Sequence, residues 1–179
     1  MTSQDVILGM LMKRGLTGYE IKHLLETIFS YFYNASYGTI YPTLSKMEKE
    51  GLITKESVLQ EGRPNKNIFT ITDLGKTHFK TYMNSPVLAD EYKSDRMIRL
   101  YFGEFVEREV IISSLELDLA RANEELERLE ANYKLWQPTM SPTQEICIQI
   151  GIENTATLIQ TLTNGLNRLK HIAEEKGDE

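Results

Sequence analysis

The stretch 38–53, Gly-Thr-Ile-Tyr-Pro-Thr-Leu-Ser-Lys-Met-Glu-Lys-Glu-Gly-Leu-Ile, constrains this chain more than any other. Wound as a helix, it sets Ile40, Leu44 and Met47 in a narrow apolar stripe. The opposite side carries Gly38, Thr39, Pro42, Ser45, Lys46 and Lys49, with Tyr41 on the flank. No carboxylate stands on that side, since Glu48 and Glu50 fall off its centre. A short helix with an apolar back and a small, hydroxyl-bearing, basic front suits the major groove of DNA. The same pattern also fits a surface helix packed on its neighbours, so its context has to decide. Pro42 is tolerated only in a first turn. Either the helix begins near Gly38 or Thr39, or it starts earlier and is distorted at Pro42. Gly51 ends it, and Leu52 and Ile53 open an extended segment.

The flanking segments supply that context. A first helix is expected from Ser3 or Gln4 to about Lys13, with Val6, Ile7, Met10 and Leu11 on its apolar side and Arg14-Gly15 breaking it. Thr17 and Glu20 then form a capping box, and Leu16 with Ile21 a hydrophobic staple. That second helix turns Ile21, Leu24, Leu25 and Ile28 inward and ends near Phe29 or Ser30. Residues 52–59 and 67–71 read as two strands, joined by a turn with Gly62, Pro64 and Asn65. Arg63 and Lys66 at its tip are within reach of phosphates beside a groove. Thr72 and Asp73 start a fourth helix that runs to about Met83. Three helices, a hairpin and a helix, in that order, make a winged helix-turn-helix. The candidate DNA surface comprises Thr17, Tyr19, Ser36, Gly38, Thr39, Tyr41, Pro42, Ser45, Lys46, Lys49, Arg63 and Lys66.

Charge divides the chain. Residues 1–85 hold 10 Lys/Arg against 8 Asp/Glu, and residues 86–179 hold 10 against 18. The acidic second half is a poor nucleic-acid ligand and the first half a permissible one. A domain boundary is placed there, giving 1–85 as the DNA-binding domain and 86–179 as a helical dimerisation domain. In the second half, residues 95–105 should form a short helix or helical turn. Leu115, Leu119, Ala122, Leu126, Leu129, Tyr133 and Trp136 then alternate in spacings of four and three, a heptad seam. Residues 137–142 break it. Ile148, Ile152, Thr155, Ile159, Leu162, Leu166, Leu169 and Ala173 repeat the pattern. Two such helices can close on each other as a hairpin. Val110, Ile111, Leu117, Ile146, Ile150, Leu158 and Ile172 nevertheless lie off the seams, more apolar surface than one hairpin hides, so a second copy of the chain is the expected partner. Leu119, Leu126, Leu129, Ile152, Ile159, Leu162, Leu166 and Leu169 are assigned to dimerisation. The fold class is mainly α with a small β-hairpin.

Five pieces in order make a resemblance specific: Thr17-Gly-Tyr-Glu-Ile, Gly38-Thr-Ile-Tyr-Pro-Thr-Leu, Met47-Glu-Lys-Glu-Gly-Leu-Ile, Gly62-Arg-Pro and Phe69-Thr-Ile-Thr-Asp-Leu-Gly. The region resembles the PadR family of bacterial transcriptional regulators, with Phe69 standing where the family often has tyrosine. The resemblance implies a dimeric winged helix that binds a pseudo-palindromic double-stranded DNA operator, usually as a repressor. The long helical second half is similar to the larger-domain branch of that family, related to phenolic-acid-responsive repressors. Tyr31, Phe32, Met97, Tyr101 and Phe102, aromatic and methionine side chains near the joint, suit a flat, weakly polar aromatic effector such as a hydroxycinnamate.

Other chemistry is not in view. His23, His78 and His171 fall on separate helices without metal-ligand spacing, and no nucleophile-elbow, phosphate-loop or dinucleotide motif occurs. The expectation is therefore no enzyme, no metal and no cofactor. The lone Cys147, among Ile146, Ile148 and Ile150, reads as a small core residue and suggests a reducing, cytoplasmic setting. Neither a secretory signal nor a membrane-spanning run is visible. The alternative from another class is a helical interaction module whose winged helix docks protein, which a weak salt dependence of binding would reveal.

Overall fold

The computed structural model describes residues 1–33, 37–60 and 63–177. They fall into two units, Met1–Asp90 and Glu91–Glu179.

In the first unit, Thr2 opens α1 (Ser3–Leu11). The Asp5 carboxylate accepts from the Thr2 N–H at 2.7 Å, and the Thr2 hydroxyl accepts from the Asp5 N–H. Helix α1 stops short of the Lys13 expected from periodicity, and the chain extends into β1 (Leu16–Thr17). That strand was not anticipated. It adds to the far side of the hairpin formed by β2 (Ile53–Gln60) and β3 (Arg63–Ile71), so the sheet has three antiparallel strands in the order β1-β3-β2. Leu16 stands opposite Phe69 and Thr17 opposite Ile68. Two residues carry too little pattern to be read as a strand. Their pairing satisfies backbone groups on an edge of β3 that the hairpin alone leaves open.

Helices α2 (Gly18–Thr27) and α3 (Ile40–Lys49) follow, the latter entered through a 3-10 turn at Tyr37–Thr39, and α4 (Asp73–Met83) closes the unit. The core draws Leu8 and Leu11 from α1, Ile21 from α2, Leu44 and Met47 from α3, and Ile53 from β2. The predicted stripe of α3 is thus its buried back. At its end Gly51 takes φ +72, the left-handed geometry that lets Leu52 N–H reach back to the Met47 carbonyl at 2.9 Å. The Thr72 hydroxyl caps α4 by accepting from Gly75 N–H at 3.1 Å and donates to the Gly51 carbonyl at 2.7 Å. Gly75 has no room for a side chain, because a Cβ there would lie 2.2 Å from the Leu52 carbonyl oxygen.

In the second unit, Ser94 caps α5 (Asp95–Tyr101), and a 3-10 turn at Gly103–Phe105 follows it, so the stretch 95–105 holds both a short helix and a helical turn. Helices α6 (Arg108–Trp136) and α7 (Pro142–Gly177) form an antiparallel hairpin. Leu115, early in α6, packs on Leu162 and Leu166, late in α7. Glu116 accepts from Lys170, and near the turn Tyr133 donates to Glu145. This packing corrects part of the dimer assignment. Leu129, Leu162 and Leu166 are already 95% or more covered within one chain. They belong to the intrachain seam, as the heptad spacing also allowed, and cannot at the same time face a partner. Cys147 is corrected as well: it is exposed, because the side of α7 that turns inward there carries Ile148.

Candidate nucleic-acid interface

The front of α3 is built by elimination. With Ile40, Leu44 and Met47 turned into the core, the 100° step of the helix leaves Tyr41, Pro42, Ser45, Lys46 and Lys49 exposed on the other side. Gly38 and Thr39 are exposed ahead of them. Pro42 sits in the first turn, where its missing N–H costs nothing, and this settles the choice left open by the sequence. Lys46 stands 3.7 Å from Glu50, an exposed pair one turn apart. Such a pair contributes only a few tenths of a kcal/mol, so it hardly holds Lys46 back from a phosphate. Glu50 is engaged a second time by the side-chain amide of Gln4 at 2.7 Å, which draws its charge toward α1.

The start of α2 is organised differently. The Thr17 hydroxyl donates to Glu20 at 2.7 Å and accepts from the Glu20 N–H at 3.2 Å, while the Thr17 N–H donates to the same carboxylate at 2.8 Å. The backbone N–H of Thr17 first, and its hydroxyl second, hold the Glu20 carboxyl down at about 2, with Arg14 assisting at 2.9 Å. Thr17, expected on the DNA surface, is buried, and its hydroxyl is committed to this cap. Tyr19, two residues on, is 75% exposed.

Lys66 is exposed on β3 opposite Val58 of β2, close to a break in the hairpin register between Val58 and Gln60. Ser36 and the side chain of Arg63, both expected at the interface, lie outside the described residues.

One contributor has no counterpart among the residues expected from sequence. Gly18, the first residue of α2, is buried beneath the ring of Tyr41 from α3. A Cβ at that position would stand 2.7 Å from Tyr41 Cε1 and 3.0 Å from its hydroxyl oxygen. The only available signal was a glycine in a first helical turn directly after a strong cap, which propensity alone does not favour.

The residues expected to hold an aromatic effector are divided between the two units. In the first unit Tyr31 meets Phe32 edge-on, with centroids 4.7 Å apart. In the second, Tyr101 meets Phe102 at 5.0 Å, and both are exposed, as is Met97. Among the described residues no group of His, Cys, Asp and Glu is arranged to hold a metal ion, and no helix is long and apolar enough to cross a membrane.

Comparison with known proteins bears on this geometry. The profile of the transcriptional regulator PadR-like family matches residues 7–81, which include α2, α3 and the hairpin. A PadR-like transcriptional regulator of Bacillus cereus is 34% identical, with a TM-score of 0.87 over 95% of this chain and 99% of that one. A protein of Streptococcus mutans is 41% identical, also at 0.87, over 93% and 99%. The negative transcriptional regulator PadR of Bacillus subtilis is 28% identical over 138 residues, 76% of this chain and 75% of that protein. Solved structures of Bacillus subtilis PadR with operator DNA and with p-coumaric acid share the fold, at TM-scores of 0.81 and 0.73 with 24% identity, each over 93% of this chain and 98% of that one.

Proposed function

Because this chain belongs to the PadR-like family of transcriptional regulators, we propose that it represses transcription as a homodimer on a pseudo-palindromic operator. The DNA-binding domain is taken as 1–85 and the dimerisation domain as 86–179, and the protein acts in the cytoplasm. The observation that carries the reading is the two-sidedness of α3: a fully buried Leu44–Met47 back and an exposed front of Tyr41, Ser45, Lys46 and Lys49. Inserted in a major groove, Thr39 and Ser45 reach base edges, while Lys46, Lys49 and Lys66 neutralise phosphates. A protein-docking helix would instead show apolar side chains on that front. Two copies must present their α3 helices about one DNA turn apart. The exposed apolar residues of the helical hairpin, among them Leu135, Ile146 and Ile150, offer the surface that would hold them so.

The test is a salt titration against a duplex selected from a random-sequence pool by the intact chain. Lys46→Ala and Lys66→Ala are expected to weaken binding to all sequences. Each should also lower the salt slope by about one for every phosphate left without its lysine in each subunit. Ser45→Ala changes preference among operator variants instead. Unaltered affinity and slope in both lysine variants contradict the reading.

A small aromatic acid is the proposed effector, supported by the exposed Tyr101–Phe102 pair and by the p-coumaric acid bound to the Bacillus subtilis relative. Such a ligand weakens the DNA complex only by binding the non-binding state more tightly. Calorimetry with a panel of hydroxycinnamates decides it: heat together with loss of DNA affinity supports the effector, and silence at millimolar ligand rejects it.

A further inference from the structure

The first turn of α3 lies at the exposed N-terminal end of the reading surface. Its N-cap residue Thr39 makes no side-chain capping bond, and Pro42 contributes no N–H. Ile40 anchors the back of that turn in the core. On the front, the ring of Tyr41 lies on Gly18. We propose that Gly18 is a seat for Tyr41, and that this contact sets how the N-terminal end of α3 is presented to DNA, which makes Gly18 a positioning residue for operator binding.

A methyl group at residue 18 would collide with that ring. It would stand 2.7 to 3.0 Å from the ring edge and hydroxyl of Tyr41, closer than carbon atoms approach. The backbone of Gly18 is helical and outside the left-handed region, and the three atoms nearest to an added Cβ all belong to Tyr41. Tyr41 is 65% exposed, so its ring can swing into solvent with little loss of packing. An alanine also favours the helical state over glycine. Gly18→Ala is therefore expected to leave stability unchanged or raised while it expels Tyr41 from its place. A residue kept small for the fold would respond the other way. The Tyr41 ring in turn lies beside the α2 first turn, where Thr17 and Glu20 satisfy each other's backbone N–H groups. The fit of ring on glycine is one of shape, and a methyl group at residue 18 would remove it.

This inference rests on the DNA-binding reading of α3, and the experiment separates the two. The intact chain and its variants are measured against the duplex selected by the wild type, with thermal unfolding recorded in parallel. Gly18→Ala should bind at least tenfold more weakly with a melting temperature no lower than wild type. Tyr41→Ala should lose as much as Gly18→Ala. The double variant Gly18→Ala/Tyr41→Ala should be no weaker than Tyr41→Ala alone, since both changes remove one arrangement. Gly18→Ala binding like wild type overturns the proposal, as do losses that add in the double variant. A fall in melting temperature parallel to the fall in affinity overturns it too, by making the glycine structural. If Lys46→Ala weakens binding and Gly18→Ala does not, the inference alone fails. If the wild type selects no duplex, the DNA-binding reading fails with it.

Discussion

In the first unit, Leu8, Ile21 and Met47 come from three helices and Ile53 and Phe69 from two strands, and all meet in one cluster. In the second, Leu115 meets Leu162 and Leu166 across a single pair of helices, while Leu135, Ile146 and Ile150 on the same two helices stay more than half exposed. The first arrangement gathers one core from helices and strands and turns the polar and basic front of α3 outward. The second has two layers only, so each helix keeps an outer side that one hairpin cannot cover. The contrast teaches where independence lies: the first unit carries a core drawn from helices and strands, whereas the hairpin leaves the apolar surface on which the proposed dimer rests.

The largest expected effect breaks the first unit. Gly75→Ala forces a carbon into the Leu52 carbonyl, backbone against backbone, where no side chain can yield. It should cost about 3 kcal/mol or more, a large share of the stability of a small domain. Chemical denaturation is the measurement, and a loss under about 1 kcal/mol would show that the α4 junction is looser than described.

Breaking the second unit should look different. Ile146→Asp with Ile150→Asp alters two exposed positions one turn apart on α7, so helicity should remain while self-association weakens by tenfold or more. Sedimentation with circular dichroism reads both, and an unchanged dimer moves the partner surface elsewhere. Leu166 is unsuited to this purpose, because its burial inside the hairpin would make an aspartate unfold the helix pair.

A smaller effect sharpens the electrostatics of the first unit. The Glu20 carboxyl titrates near 2 when folded, against 4.5 for the free group. Its contribution is therefore full above about pH 4.5 and is lost as pH falls toward 2. The side chain is one-third exposed, so solvent screening discounts the shift to a capping-sized effect of about 1 kcal/mol. Glu20→Gln should be less stable than wild type by that amount at pH 6, with the gap closing by pH 2. A gap constant with pH would remove the charge from the explanation. Smallest of all, Gly165→Ala on α7 meets no atom within 4 Å and should raise stability by about 0.5 to 1 kcal/mol, opposite in sign to Gly75→Ala.

What could be read from sequence followed the range of the interactions. The α3 stripe, the Thr17–Glu20 box and the Gly51 stop are settled within a few residues, and each stood in the chain as letters at fixed spacing. Strand β1 was invisible because its pairing partners, Ile68 and Phe69, lie some fifty residues away. The Tyr41 seat on Gly18 escaped for the same reason, since it joins two helices across the turn between them. In the hairpin the heptads announced two helices and an interface, yet the same spacing serves a seam within one chain or between two. Only packing assigned Leu129, Leu162 and Leu166 to the former.

Stoichiometry on DNA tests the central claim most directly, because the proposed function joins DNA reading by the first unit to pairing through the hairpin. Sedimentation of the intact chain with its selected duplex should give two chains per duplex, and the free protein should sediment at twice the chain mass at micromolar concentration. One chain per duplex, or a free monomer at that concentration, would contradict the account.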